Sequence, residues 1–169
     1  MNFLTRTTRV IRPARFDIIH TALRSYATDA PAVNDKLVLN FVLPHQVLFK
    51  KTTVQQVNLA STSGDMGILA NHVPSIEQLR PGIVEVITEQ NTQKWFVSGG
   101  FAVVNPDSTL NINAVEAFPL EEFSPEAVKE GLDRANQVLG SNASEQEKVV
   151  AKIEQEVFEA LQSAVGKSA

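Results

Sequence analysis

The chain has 169 residues, 43% of them apolar and 20% charged, enough to bury one ordinary core with a small appendage. It contains no cysteine, which removes disulfide staples, thiol catalysis and thiolate metal sites together. The formal charge of −4 divides unevenly: residues 1–26 carry Arg6, Arg9, Arg12, Arg15 and Arg24 against Asp17 alone, and the rest hold 10 of the 15 basic and 18 of the 19 acidic residues, a net −8. An acidic body repels phosphate backbones, so no nucleic-acid partner is expected. No stretch approaches the about eighteen consecutive apolar residues of a transmembrane helix.

Residues 1–26 are Arg-rich, rich in hydroxyls and nearly free of acid, the composition of an organelle-targeting presequence. A secretory signal needs an unbroken apolar centre, which Arg9, Arg12 and Arg15 interrupt. Arg24-Ser25-Tyr26-Ala27 resembles a mitochondrial processing site, with Arg24 and Tyr26 ahead of the cut and Ala27 as the new N-terminus. A disordered basic tail is the plainer alternative. Residues 27–35 are small and polar and read as a flexible lead-in.

From Lys36 the character changes. Leu37 to Leu43 is β-rich, Pro44-His45 punctuates it, and Gln46 to Phe49 resumes. Val57 to Ser61 alternates apolar and polar residues, as a half-buried strand does. Residues 63–82 then pack three glycines and two prolines into twenty positions, which reads as a shaped loop. Ile83 to Thr88 and Lys94 to Ser98 form a hairpin signal, and Phe101 to Val104 and Thr109 to Ala114 follow with a turn between them. Gly99-Gly100 inside an apolar run marks a bulge or the close approach of another backbone. The spacing predicts an antiparallel β-sandwich or barrel over residues 36–121.

At about residue 123 the period lengthens to that of a helix. Ser124-Pro125-Glu126 is a start signal, Val128, Leu132, Ala135 and Leu139 share a face, and Gly140 ends the helix. Ser144 to Glu147 is a capping box for a second helix, with Val150, Ile153, Val157, Leu161 and Ala164 as its stripe. The short connection makes residues 122–169 an antiparallel two-helix hairpin.

Chemistry is hard to find in this pattern. His20, His45 and His72 form no His-x-x-x-His pair, so no metal is expected. His72, before Val73-Pro74, suits an imidazole that ties down a loop carbonyl. There is no Gly-x-Ser-x-Gly elbow for Ser61, Ser63 or Ser98, and Gly64-Asp65-Met66-Gly67 lacks the lysine of a phosphate cradle. The acidic pairs Glu121-Glu122 and Glu154, Glu156 and Glu159 read as a solvated face. Nothing here calls for a cofactor, and the pattern is that of a part that binds and transmits.

Gly64-Asp65-Met66-Gly67-Ile68-Leu69-Ala70-Asn71-His72-Val73-Pro74, continued by Leu79-Arg80-Pro81-Gly82-Ile83-Val84, closely resembles the signature of the rotary F-type ATP synthase subunit family called delta in mitochondria and epsilon in bacteria and chloroplasts. Phe96 to Val104 resembles its second block, and the match runs in order over about residues 36 to 165. The resemblance implies a β-sandwich followed by a helical hairpin, and the presequence favours the mitochondrial branch. It also implies a non-catalytic rotor subunit at the foot of the central stalk, on the matrix side of the inner membrane and peripheral to it. That subunit holds the gamma subunit and a small mitochondrial epsilon subunit and sits on the c-ring. Carried over, Gly64, Asp65, Met66 and Gly67 match the family's c-ring docking loop, with Asp65 in place of an acidic residue. Asn71, His72 and Pro74 match the following turn, and Gly67, Pro81 and Gly82 read mainly as backbone shapers.

One departure bears on nucleotide. Some bacterial relatives bind ATP on the hairpin through an aspartate, two intervening residues and Arg-Ala. Leu132-Asp133-Arg134-Ala135 puts the arginine next to the aspartate, about 100° away around a helix, so no nucleotide binding is expected. Two other classes stay open on the residues alone: a free-standing ligand-binding β-sandwich, and a small matrix enzyme using His72 and Asp65 as base and acid.

Overall fold

A computed structural model describes residues 35–166; the expected presequence, nearly all of the lead-in and the processing residues Arg24, Tyr26 and Ala27 lie outside them. The described residues hold ten strands: β1 (Leu37–Val42), β2 (Val47–Val54), β3 (Gln56–Ser61), β4 (Gly64–Ile68), β5 (Ser75–Leu79), β6 (Gly82–Ile87), β7 (Thr92–Val97), β8 (Gly100–Val104), β9 (Thr109–Ala114) and β10 (Ala117–Pro119). A short 3-10 turn (Leu120–Glu122) leads into α1 (Pro125–Gly140) and α2 (Glu145–Gly166).

The hydrogen-bonded order is β10-β7-β6-β3-β5-β8-β9-β1-β2, with β4 on the other edge of β3. Both β5 and β6 pair with β3, β5 at Ser61 and β6 at Gln56 to Asn58. The chain therefore passes at Arg80-Pro81 from one half of the folded sheet to the other. The halves face each other across one core: Trp95 on β7 packs edge-on against Phe41 on β1 and Phe49 on β2, each with ring centroids 6.3 Å away. Alternation supplies that core, since β1 and β6 both bury every second residue.

One expectation is refined and two need correction. The sandwich is not wholly antiparallel: β1 lies parallel to β9, from Val38 opposite Thr109 to Val42 opposite Asn113. A parallel pair needs a long connection, which the strands between β1 and β9 provide. The segment read as a loop contains two strands, β4 and β5, with turns at Thr62-Ser63, before Gly64, and at Ala70-Asn71. The helical stripes hold at Val128, Ala135, Leu161 and Ala164 but fail at the start of α2. Helix α1 buries Val128, Gly131 and Ala135, and α2 buries Ala151, Leu161 and Ala164, while Val150 and Ile153 are 55% and 59% exposed. At the seam between the helices a Cβ on Gly131 would overlap the Phe158 ring, so the ring occupies the space a side chain would have taken.

The hairpin packs on the outer surface of the β6 and β7 half through Phe96, Ile83, Phe123, Val157 and Leu161. Both helix starts are built as their residues dictate. Ser124 Oγ accepts from the Ala127 amide at 3.3 Å, with Pro125 at the first helical position. Ser144 and Glu147 form a reciprocal capping box: the Ser144 amide donates to Glu147 Oε2 at 2.8 Å, and the Glu147 amide donates to Ser144 Oγ at 3.3 Å. The Gly99-Gly100 reading also holds, for β9 comes so close that a Cβ on Gly100 would overlap the Asn113 carbonyl and Ala114 Cα.

Candidate functional site

Strand β4 pairs antiparallel with β3 from Ser61 opposite Gly64 to Val57 opposite Ile68. Its neighbours brace it. The Ser61 hydroxyl, 1% exposed, donates to the Gly64 carbonyl at 2.8 Å and accepts from the Ser63 amide at 3.2 Å, which fixes the β3–β4 turn from inside. Ser63 Oγ then donates to Glu77 Oε2 on β5 at 2.6 Å. Ile68 is fully buried and Met66 packs on the core, so the alternate positions Asp65 and Gly67 point outward.

Asp65 is 80% exposed at its side chain, and Arg80 donates to Asp65 Oδ1 from Nη2 at 2.6 Å. The edge thus presents one carboxylate braced by a cation from the sheet corner. Gly67 opens the surface beside it: a Cβ there would stand 3.2 Å from both Asn58 Oδ1 and Gln56 Nε2. These two side chains begin a polar ladder, with Asn58 Nδ2 donating to Glu85 Oε2 at 2.7 Å and Lys94 Nζ 3.9 Å from Glu85 Oε1. The ladder floors an open cleft of about 600 Å³, walled on one side by Asp65 and Arg80 and on the other by Ala160, Ser163 and Ala164 of α2. Gly82 lets β6 close on β3, since a Cβ there would stand 2.8 Å from Ala60 Cβ, and Pro81 lies at the corner beside it.

The residues after β4 form a separate part of the surface. His72 Nδ1 donates to the Val73 carbonyl at 2.8 Å, the loop-tying role expected of it, and its amide donates to the Leu69 carbonyl at 3.3 Å. Asn71 adopts left-handed backbone, φ 60°, and Pro74 carries the chain into β5. Asp65 is held by Arg80 and His72 by its own loop, so no contact joins them into the acid and base pair of the enzyme alternative. Among the described residues no group of three or more His, Cys, Asp or Glu side chains could hold a metal.

Sequence reasoning missed three residues here: Ser61 and Glu77, which brace the turn, and Ser108, which contacts Asn71 from the β8–β9 turn. Only Ser108 had a local signal, its place at the end of the Asn105 to Ser108 turn.

The model of the ATP synthase Delta/Epsilon chain, beta-sandwich domain, matches residues 36–119. The mitochondrial ATP synthase subunit delta of Agaricus bisporus is 56% identical over 135 residues, covering 80% of this chain and 83% of the relative. That of Saccharomyces cerevisiae is 51% identical over 142 residues, covering 84% and 88%. Among solved structures, a chain in the cryo-EM structure of the Euglena gracilis mitochondrial ATP synthase (OSCP/F1/c-ring) superposes with a TM-score of 0.75 at 30% identity, over 81% of this chain and 86% of that one. A chain from the Tetrahymena thermophila mitochondrial ATP synthase shares the fold, with a TM-score of 0.58 at 18% identity over 77% and 96%. This chain belongs to the delta/epsilon family of ATP synthase subunits, in the branch named delta in mitochondria.

Proposed function

We propose that the chain is a non-catalytic rotor subunit of the mitochondrial ATP synthase, at the foot of the central stalk on the matrix side of the inner membrane. There it passes c-ring rotation to the gamma subunit and so to ATP synthesis on other chains. The observation that carries this reading is the edge strand β4, braced by Ser61 and Glu77 yet leaving the Asp65 carboxylate exposed. A stiff edge transmits torque, and an exposed carboxylate suits polar and cationic groups on the loops of a c-ring.

Two further surfaces support the reading. On the outer face of β5 and β8, Ile76 (74% exposed) lies opposite Val103, and Gln78 opposite the exposed Phe101. Exposed apolar side chains of this kind suit a protein partner, here gamma. The cleft between the polar ladder and α2 suits the small epsilon subunit. Among the described residues no helix is long and apolar enough to cross a membrane, which fits attachment through a ring partner.

Native mass spectrometry of the endogenous protein tests the proposal against a free-standing ligand-binding sandwich or a small matrix enzyme. Masses that combine this chain with gamma and the c-ring are expected. A lone monomer rejects the rotor reading.

A further inference from the structure

Apart from Lys51, the described non-glycine residues with positive φ are Asn71, at 60° in the β4–β5 connection, and Ser108, at 61° at the end of the β8–β9 turn. Asparagine tolerates this backbone and serine does so poorly, so each position needs support from its surroundings. These two support each other. The Asn71 amide donates to Ser108 Oγ at 2.9 Å, and Ser108 Oγ donates to Asn71 Oδ1 at 3.3 Å, across 37 residues of sequence.

Ser108 is the anchored partner. It is 3% exposed, its carbonyl accepts from the Val38 amide at 2.9 Å, and the Asn105 amide donates to the Thr109 carbonyl at 2.9 Å to close the turn around it. The β8–β9 turn is therefore fixed to the start of β1, the strand next to the β2 edge of the sheet. Asn71 belongs to the segment it holds, where Leu69 and Val73 are exposed, Val73 at 74%, with no strand pairing to order them. An exposed apolar pair on an unpaired loop would ordinarily lose affinity to the entropy of ordering on contact.

We infer that Ser108 and Asn71 are a positioning pair that holds the β4–β5 loop in a single conformation, so that Leu69 and Val73 meet the c-ring as a preformed contact at the end of β4 opposite to Asp65. The c-ring as occupant rests on the docking reading above; the clasp itself does not.

Glycine accepts φ near 60°, so Ser108→Gly removes both bridging bonds and Asn71→Gly removes the Oδ1 bond alone, residue 71 keeping its amide, and both relieve the backbone rather than straining it. In the isolated full chain, amide hydrogen exchange over residues 69–74 should quicken by about tenfold or more in Ser108→Gly and by less in Asn71→Gly. Unfolding reported by Trp95 fluorescence should stay close to wild type. The double variant should be no faster than Ser108→Gly, because that change alone already removes both bonds. Unchanged exchange over 69–74 overturns the clasp. In the reconstituted complex, Ser108→Gly should weaken co-purification of the c-ring several-fold while gamma binding is retained. Faster exchange with full c-ring retention overturns the positioning role. If the wild-type chain itself fails to bring down the ring, the docking reading has failed, and the exchange experiment still decides the clasp.

Discussion

Arg80 Nη2 stands 2.6 Å from Asp65 Oδ1, joining the corner of the folded sheet to its edge strand. With the Asp65 side chain 80% exposed, such a pair is screened by water, and its removal costs the isolated chain less than about 1 kcal/mol. Asp65→Asn should therefore leave thermal unfolding nearly unchanged while lowering c-ring co-purification and flattening its dependence on salt. Arg80→Gln leaves the carboxylate unneutralised and should keep the ring bound. If Asp65→Asn retains the ring as wild type does across a salt series, the carboxylate is not a docking group.

Gly100→Ala should be among the most damaging single changes in the sandwich. Its φ of 147° excludes ordinary side chains, and the new Cβ would press on the backbone of Asn113 and Ala114, which cannot rotate away. A loss of about 3 kcal/mol or more is expected, a fall of roughly 10 °C or more in melting temperature. Gly99→Ala separates the two causes: its φ is 154°, but the nearest neighbour is the Leu79 carbonyl oxygen at 3.6 Å. It should melt between Gly100→Ala and wild type, and equal melting of the two variants would refute the close-approach account.

Where local pattern and final structure agree, the cause is local. The alternation in β1, β6 and β9 and the serine caps at Ser124 and Ser144 are decided within a few residues and were readable from them. Strand β4 was not, because Gly64, Asp65 and Gly67 are poor strand formers; pairing with β3 and burial of Ile68 override that preference. The parallel β1–β9 pair, the Asp65–Arg80 bridge and the Asn71–Ser108 clasp all depend on chain segments brought together by the fold. The docking assignment of Asp65 came from family resemblance, and periodicity offered no route to it.

Gly131→Ala sets two effects against each other. Alanine favours the helix over glycine by about 1 kcal/mol. Its Cβ would overlap the Phe158 ring, a stiff group packed between α1 and α2, and overpacking of this kind costs about 1–3 kcal/mol. The overlap should win, loosening the hairpin while the sandwich core, which excludes both residues, is unaffected. Limited proteolysis should cut within residues 125–166 faster than in wild type, with the Trp95 unfolding transition little moved. Slower cleavage would mean that the ring shifts at no cost and helix propensity prevails.

The hairpin should also loosen in acid. Hydrogen bonding from Ser124 lowers the Glu126 carboxyl below its ordinary value, and hydrogen bonds from the Ser144 side chain and backbone do the same for Glu147. A carboxyl whose pKa is depressed by folding adds stability that is fully present above its unfolded value, about 4.3, and is lost as pH falls through the folded value. Neutral pH therefore keeps both helix starts intact, and protonation at pH values below the ordinary carboxyl range weakens them and removes favourable negative charge from the helix N-termini. Both groups are fully exposed, so the change should be a partial loss of helical circular dichroism that precedes any change in Trp95 fluorescence. Ser144→Ala should remove the α2 share of that acid transition while lowering helix content at neutral pH. An acid transition in Ser144→Ala identical to wild type would show that the capping carboxylate is not its source.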